Sequence, residues 1–118
     1  MNRPMTEPWS PTNATYAIRE IGQHPALSLA YKVHATQRLL DRGITTSDVL
    51  YLLRNGYVYD DPSSATQHGY FRYKIQGKTP NSEGRDVAAV VVPNYNTKTV
   101  KVVTVMWVDE QSTCAGTI

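Results

Sequence analysis

A single cysteine, Cys114, is all the thiol chemistry this chain has. It excludes an intramolecular disulfide and a cysteine-built metal cage. A reactive role for it would need an electropositive pocket, which its polar surroundings do not suggest. Also missing are a glycine-rich phosphate loop, a His-Glu-x-x-His pair and a serine or cysteine nucleophile motif. The three histidines, His24, His34 and His68, are scattered, so no metal site and no cofactor is expected. The longest apolar run, residues 87–92, is far short of the roughly 20 residues that span a bilayer. The first residues, MNRPMTEPWSP, lack the basic-then-apolar order of a secretory signal, and the expectation is a cytoplasmic protein with no membrane partner. Charge of either sign is also scarce in excess: 12 Lys and Arg against 10 Asp and Glu leave +2. Dedicated nucleic-acid binders usually carry a stronger basic bias, so the placement of the charges has to carry any such argument.

What is present fits one domain of 118 residues, with 41% hydrophobic residues to supply a core. Residues 1–26 read as a proline-bearing arm with Pro4, Pro8 and Pro11, which Trp9 could pin to the body, followed by a short helix capped by Asn13 with Ala14, Ala17, Ile18 and Ile21 as its stripe. Residues 27–108 form the domain proper, and residues 109–118 a polar tail. Residues 27–33 alternate as an extended segment. Residues 34–56 then read as two helices around an Arg42-Gly43-Ile44 corner, with Gly43 as the stop, a Thr45/Asp48 capping box, and Ile44 stapled to Val49. On the first helix Ala35, Leu39 and Leu40 form the apolar side, and His34, Gln37, Arg38, Asp41 and Arg42 the polar one.

From Tyr57 the period falls to two and strands take over. Residues 57–60 form a short strand closed by a turn at Asp61-Pro62-Ser63. Residues 69–77 alternate Phe71, Tyr73 and Ile75 on a core face with Tyr70, Arg72, Lys74 and Gln76 on a cationic one. Residues 85–93 and 98–108 read as an antiparallel hairpin of central strands. The fold class is therefore α+β, an N-terminal helix pair packed on a mostly antiparallel sheet of about four strands.

The polar inventory left for chemistry is cationic: His34, Arg38, Arg42, Arg72 and Lys74, with hydroxyls at Tyr70 and Tyr73. Metal-free RNA cleavage needs a group to take the 2′-hydroxyl proton, a group to protonate the leaving oxygen, and fixed cations around the phosphorane. Histidine titrates in the right range for a proton-transfer role and arginine forks match phosphate oxygens. That assigns His34, Arg38 and Arg72 to catalysis, and Arg42, Lys74 and Tyr70 to phosphate or RNA binding, provided helix and strand share one cleft. The plainer reading keeps His34 as a local helix-start residue, Arg38 and Arg42 as a solvated face, and Arg72 and Lys74 as charges guarding an edge strand. A DNA-reading helix-turn-helix would have to use Ser47, Asp48, Tyr51, Arg54 and Asn55, a poor and partly acidic set.

The pattern H-A-x-x-R-x-x-x-R-G-I-T from His34 to Thr45, then Asn55-Gly56, Y-F-R-Y-K from Tyr70, and V-V-T-V-x-W up to Trp107 resembles the domain-of-unknown-function family 4258. That family is similar to the RelE/ParE-like toxin domains of bacterial toxin–antitoxin systems. The resemblance implies a metal-independent endoribonuclease neutralised by a protein antitoxin, with His34, Arg38, Arg42 and Arg72 at the family-pattern positions. A net charge of +2 is low for a ribosome-dependent toxin. The alternative is a non-catalytic protein-binding module of the same fold.

Overall fold

The computed structural model describes residues 7–109; the expected tail beyond Asp109 lies outside them. Three helices form one layer and an open mixed sheet the other. Helix α1, Pro11–Gln23, starts one turn earlier than Asn13 suggests, because Ser10 is the cap and Pro11 occupies the first position, where its missing N–H costs nothing. The Ser10 hydroxyl accepts from Asn13 N–H at 3.2 Å. Its Ala14, Ala17, Ile18 and Ile21 are fully buried. Helix α2, Val33–Arg42, ends at Gly43, whose φ of 66° is left-handed and suits glycine. Helix α3, Thr46–Asn55, opens with the capping box, Thr45 and Asp48 bonding each other's backbone N–H.

Strands β1 (Ser28–Tyr31), β2 (Tyr57–Val58), β4 (Phe71–Lys78), β5 (Asp86–Asn94) and β6 (Thr99–Trp107) run in the order β1-β6-β5-β4-β2, and β3 (Ser63–Ser64) pairs with the start of β4. Strands β5 and β6 are central and antiparallel, as their two-sided apolar runs suggest. The expectation of about four mostly antiparallel strands needs correcting. The extended segment before α2 joins the sheet as β1, parallel to β6, with Ala30 opposite Lys101. The hydrophobic pattern gave the strand but not its direction, since a parallel partner can be far away in sequence.

Strand alternation decides the two faces of the sheet. Tyr73 and Ile75 of β4, Val87, Ala89 and Val91 of β5, and Val100, Val102 and Val105 of β6 are buried against Ile18, Ile21, Val49, Leu52 and Leu53 of the helices. A bulge in β6 opposite Val90/Val91 keeps Val105 on that face despite the odd spacing. On the opposite face project Arg72, Lys74 and Gln76, then Val90 and Val92, then Lys101; no helix packs on this face among the described residues.

Both ends of the sheet are finished by side chains. At β2 the Thr15 hydroxyl accepts Val58 N–H at 2.9 Å, and the Arg19 guanidinium donates to the carbonyls of Gly56 and Asn55, each at 3.0 Å. At β6, beyond the end of β1, Arg42 donates to the Val105 carbonyl at 3.2 Å, and Trp107 Nε1 returns a bond to the Arg42 carbonyl at 2.8 Å. Contact with α2 is thus made by Ala35, Leu39 and Arg42. Leu40, expected on the apolar side, is 81% exposed, because the helix lies along one strand edge and buries only a narrow stripe.

The arm before α1 is held where Trp9 enters the core. Its ring stacks on Tyr73 with centroids 5.3 Å apart and meets Tyr95 edge-on at 6.5 Å. Trp9 N–H donates to the Tyr73 hydroxyl, which donates to the Glu7 carboxylate at 2.9 Å. Burial lifts the Glu7 carboxyl above its ordinary value, against the pull of that hydroxyl.

Candidate functional site

One cleft lies on the uncovered sheet face, with a volume of about 210 Å³. Lys32, at the end of β1, and Lys101 of β6 line it from one side, and Arg72 of β4 from the other. Val92 and Val103 form an apolar floor, and Ala65, Thr66 and Gln67 after β3 the remaining wall. The register explains why these cations meet. Lys101 is paired with Ala30 across one edge and with Val92 across the other, Lys32 follows Tyr31 in β1, and Arg72 precedes the Tyr73–Val91 pair.

The electrostatics of the cleft are one-sided. Its lining has three cations and no carboxylate, and none of the three is in an ion pair among the described residues. Thr66 accepts a long 3.4 Å bond from the Arg72 guanidinium, which leaves most of the fork's donors available. Lys74 projects from the same face two residues further along β4. Tyr70 sits at the strand's other end, its hydroxyl accepting from Asn94 at 3.2 Å. Such a surface can hold an extended polyanion, because each phosphate would meet a cation without displacing a protein carboxylate.

The remaining sequence-predicted residues fall elsewhere. His34 is exposed as the second residue of α2, and Arg38 is half-buried on the same helix; neither lines the cleft. Arg42 is engaged with the β6 edge and Trp107 through its side chain and carbonyl, a structural duty. Tyr73, counted among the candidate hydroxyls, is in the core on the opposite face. The helix-turn-helix reading loses two of its five readers: Asp48 is buried, and Arg54 donates to the Gly22 carbonyl of α1 at 2.9 Å. Sequence reasoning missed Lys32 and Lys101. The available signal was Lys101 itself, a lone charge between Val100 and Val102 in an otherwise apolar strand.

The sequence profile described as "Domain of unknown function (DUF4258)" matches residues 31–107, which takes in α2, α3 and the sheet from β2 to β6. The chain belongs to the DUF4258 family. As a DUF4258 domain it presents Arg72 and Lys101, both within the matched span, on its open face, while Lys32 stands one residue inside that span's beginning. No curated protein and no solved structure matches the chain. Among the described residues no helix is long and apolar enough to cross a membrane, and no group of three or more His, Cys, Asp or Glu is placed to hold a metal ion.

Proposed function

We propose that this DUF4258 domain is a toxin-like, metal-independent endoribonuclease with a RelE/ParE-like fold that binds the RNA backbone across its open sheet face. The observation that carries this reading is the cleft of three cations, Lys32, Arg72 and Lys101, in no ion pair among the described residues and with no carboxylate in its lining. Lys74 extends the positive strip. Cleavage requires proton transfer beside the bound phosphate. We assign that role to His34, which lies outside the cleft lining but follows the cleft residue Lys32 by two positions and is exposed at the start of α2. A cytoplasmic protein antitoxin would neutralise the domain by covering the cationic face with an acidic segment.

The reading predicts separable losses. Arg72→Ala and Lys101→Ala should each weaken RNA binding and lower the slope of log affinity against log salt by about one. His34→Ala should bind as wild type does but leave the RNA intact. Filter binding across a salt series, and gel analysis of RNA incubated with EDTA, measure the two effects. Intact RNA and undisturbed growth in bacteria expressing the wild-type chain would remove the catalytic assignment.

A non-catalytic protein-binding module is the second reading, favoured by the part-exposed Val90, Val92, Val103 and Met106 on the same uncovered face. Salt-independent capture of a partner, with no RNA binding, would decide for it.

A further inference from the structure

A second groove, of about 320 Å³, opens at the β2 side of the sheet and is lined by three tyrosines, Tyr51, Tyr57 and Tyr59, with Asn55, Gln76, Lys78 and Asp86 among its other walls. Tyr57 pairs with Gln76 in the β2–β4 register, while its neighbour Val58 pairs with Ile75 in the core. Alternation puts Tyr57 beside Gln76 at the open-face edge of the sheet, while Tyr51 and Asn55 of α3 wall the groove from the helix side. Tyr57 and Tyr59 are 52% and 64% exposed, a large aromatic area left in water that core packing does not explain.

These rings are also ordered. They stack with centroids 6.2 Å apart and planes 27° from parallel, and the Arg19 guanidinium lies 4.4 Å over Tyr57. Arg19 is itself fixed by the Gly56 and Asn55 carbonyls, so the stack is anchored to backbone. A flat, exposed, pre-ordered aromatic surface beside a polyanion track suits unpaired nucleobases, since every base offers a face to stack and a duplex offers none along its length. The carboxylate of Asp86 in the groove is paired with Lys78 at 3.1 Å, which removes its charge from the balance. Asp60 and Asp61 follow Tyr59 and would turn phosphates away from that side, toward Lys74. From Gln76 to Arg72 along β4 is about 14 Å, four residues at strand rise.

We propose that Tyr57 and Tyr59 are a base-stacking platform, so that the open face takes single-stranded RNA with its bases on the tyrosines and its phosphates running over Lys74 into the Lys32/Arg72/Lys101 cleft. This rests on the reading of that cleft as an RNA phosphate site, and the test separates the two. The probe is a fluorescein-labelled single strand carrying 2′-O-methyl groups, which removes the nucleophile and keeps the ligand whole, titrated by anisotropy against the full chain.

Tyr57→Ala and Tyr59→Ala should each weaken binding roughly tenfold and leave the salt slope unchanged, whereas Tyr59→Phe should bind as wild type does. An abasic strand should bind wild type about as weakly as the alanine variants bind the full strand. Both side chains are exposed, and an unchanged thermal midpoint confirms that the variants fold. Wild-type affinity in both alanine variants would overturn the platform while leaving the phosphate site in place. Equal affinity for a duplex of the same sequence would overturn it too, and no binding of either RNA would overturn both readings.

Discussion

Replacing Asp48 with alanine is expected to lower the unfolding free energy by about 3 kcal/mol, read by urea denaturation near neutral pH. The carboxylate is 2% exposed and joins two segments far apart in sequence. One oxygen accepts from Thr45 N–H at 2.9 Å and the Thr45 hydroxyl at 3.0 Å, with the Asn81 amide at 3.4 Å; the other accepts from the Thr79 hydroxyl at 2.7 Å. Thr79 in turn is locked to Ser82, so the β4–β5 connection hangs on the start of α3 through this one side chain. Alanine would lose the return bond of the capping box and leave the buried Thr79 hydroxyl without its acceptor.

The same carboxylate sets a pH dependence. Burial pushes Asp48 upward, but the donors from Thr45, Thr79 and Asn81 outweigh it and hold the group below its ordinary value of 3.8. A folded-state value below the unfolded one means that the stabilisation is fully present above the ordinary carboxyl range and drains away as pH falls through and beneath it. Asp48→Asn, which keeps the shape but swaps an acceptor for a donor, should cost about half as much as alanine and flatten this acid limb. An unchanged acid limb in Asp48→Asn would show that another group controls it.

Tyr73→Ala should cost still more, about 3–5 kcal/mol. The ring is fully buried between sheet and arm, and it is both the stacking partner of Trp9 and the hydroxyl that joins Trp9 N–H to Glu7. Removing it opens a cavity at the point where the arm enters the core. Tyr73→Phe keeps the stacking and loses the hydroxyl alone, which leaves Trp9 N–H without its acceptor and should cost about 1–2 kcal/mol. Tryptophan emission separates the variants: a red shift as Trp9 meets water in Tyr73→Ala, and little change in Tyr73→Phe. Equal stability of the two variants would mean that the hydroxyl, not the ring, holds the arm.

Legibility in the sequence followed the range of each signal. The 34–56 corner is read from residues a few positions apart, and Gly43, Thr45 and Asp48 take the places their neighbours prescribe. Alternation in β4 likewise separated the Tyr73 face from the Arg72 face. The cleft was half visible: Arg72 and Lys74 come from that alternation and Lys101 reaches them through the β5–β6 hairpin, but Lys32 joins them only through the parallel β1–β6 pairing, which spans about seventy residues and leaves no local mark. Arg42 has a partner that spacing alone does not reveal. Its spacing on α2 marks a cationic face, yet a guanidinium near an unpaired strand carbonyl finds a nearer acceptor than any substrate. The role of α1 was understated for a similar reason, since its stripe reads as a small local helix while its partners, Leu53 and Val58, arrive later in the chain.

The seal that α1 places on β2 lies outside the span that defines the family. The family span begins at residue 31, after the helix whose Thr15 takes the last strand's free amide and whose Arg19 takes the carbonyls of Asn55 and Gly56 just before that strand. The family span alone would leave this edge uncovered, so the segment outside the family's boundary is what caps the sheet at β2.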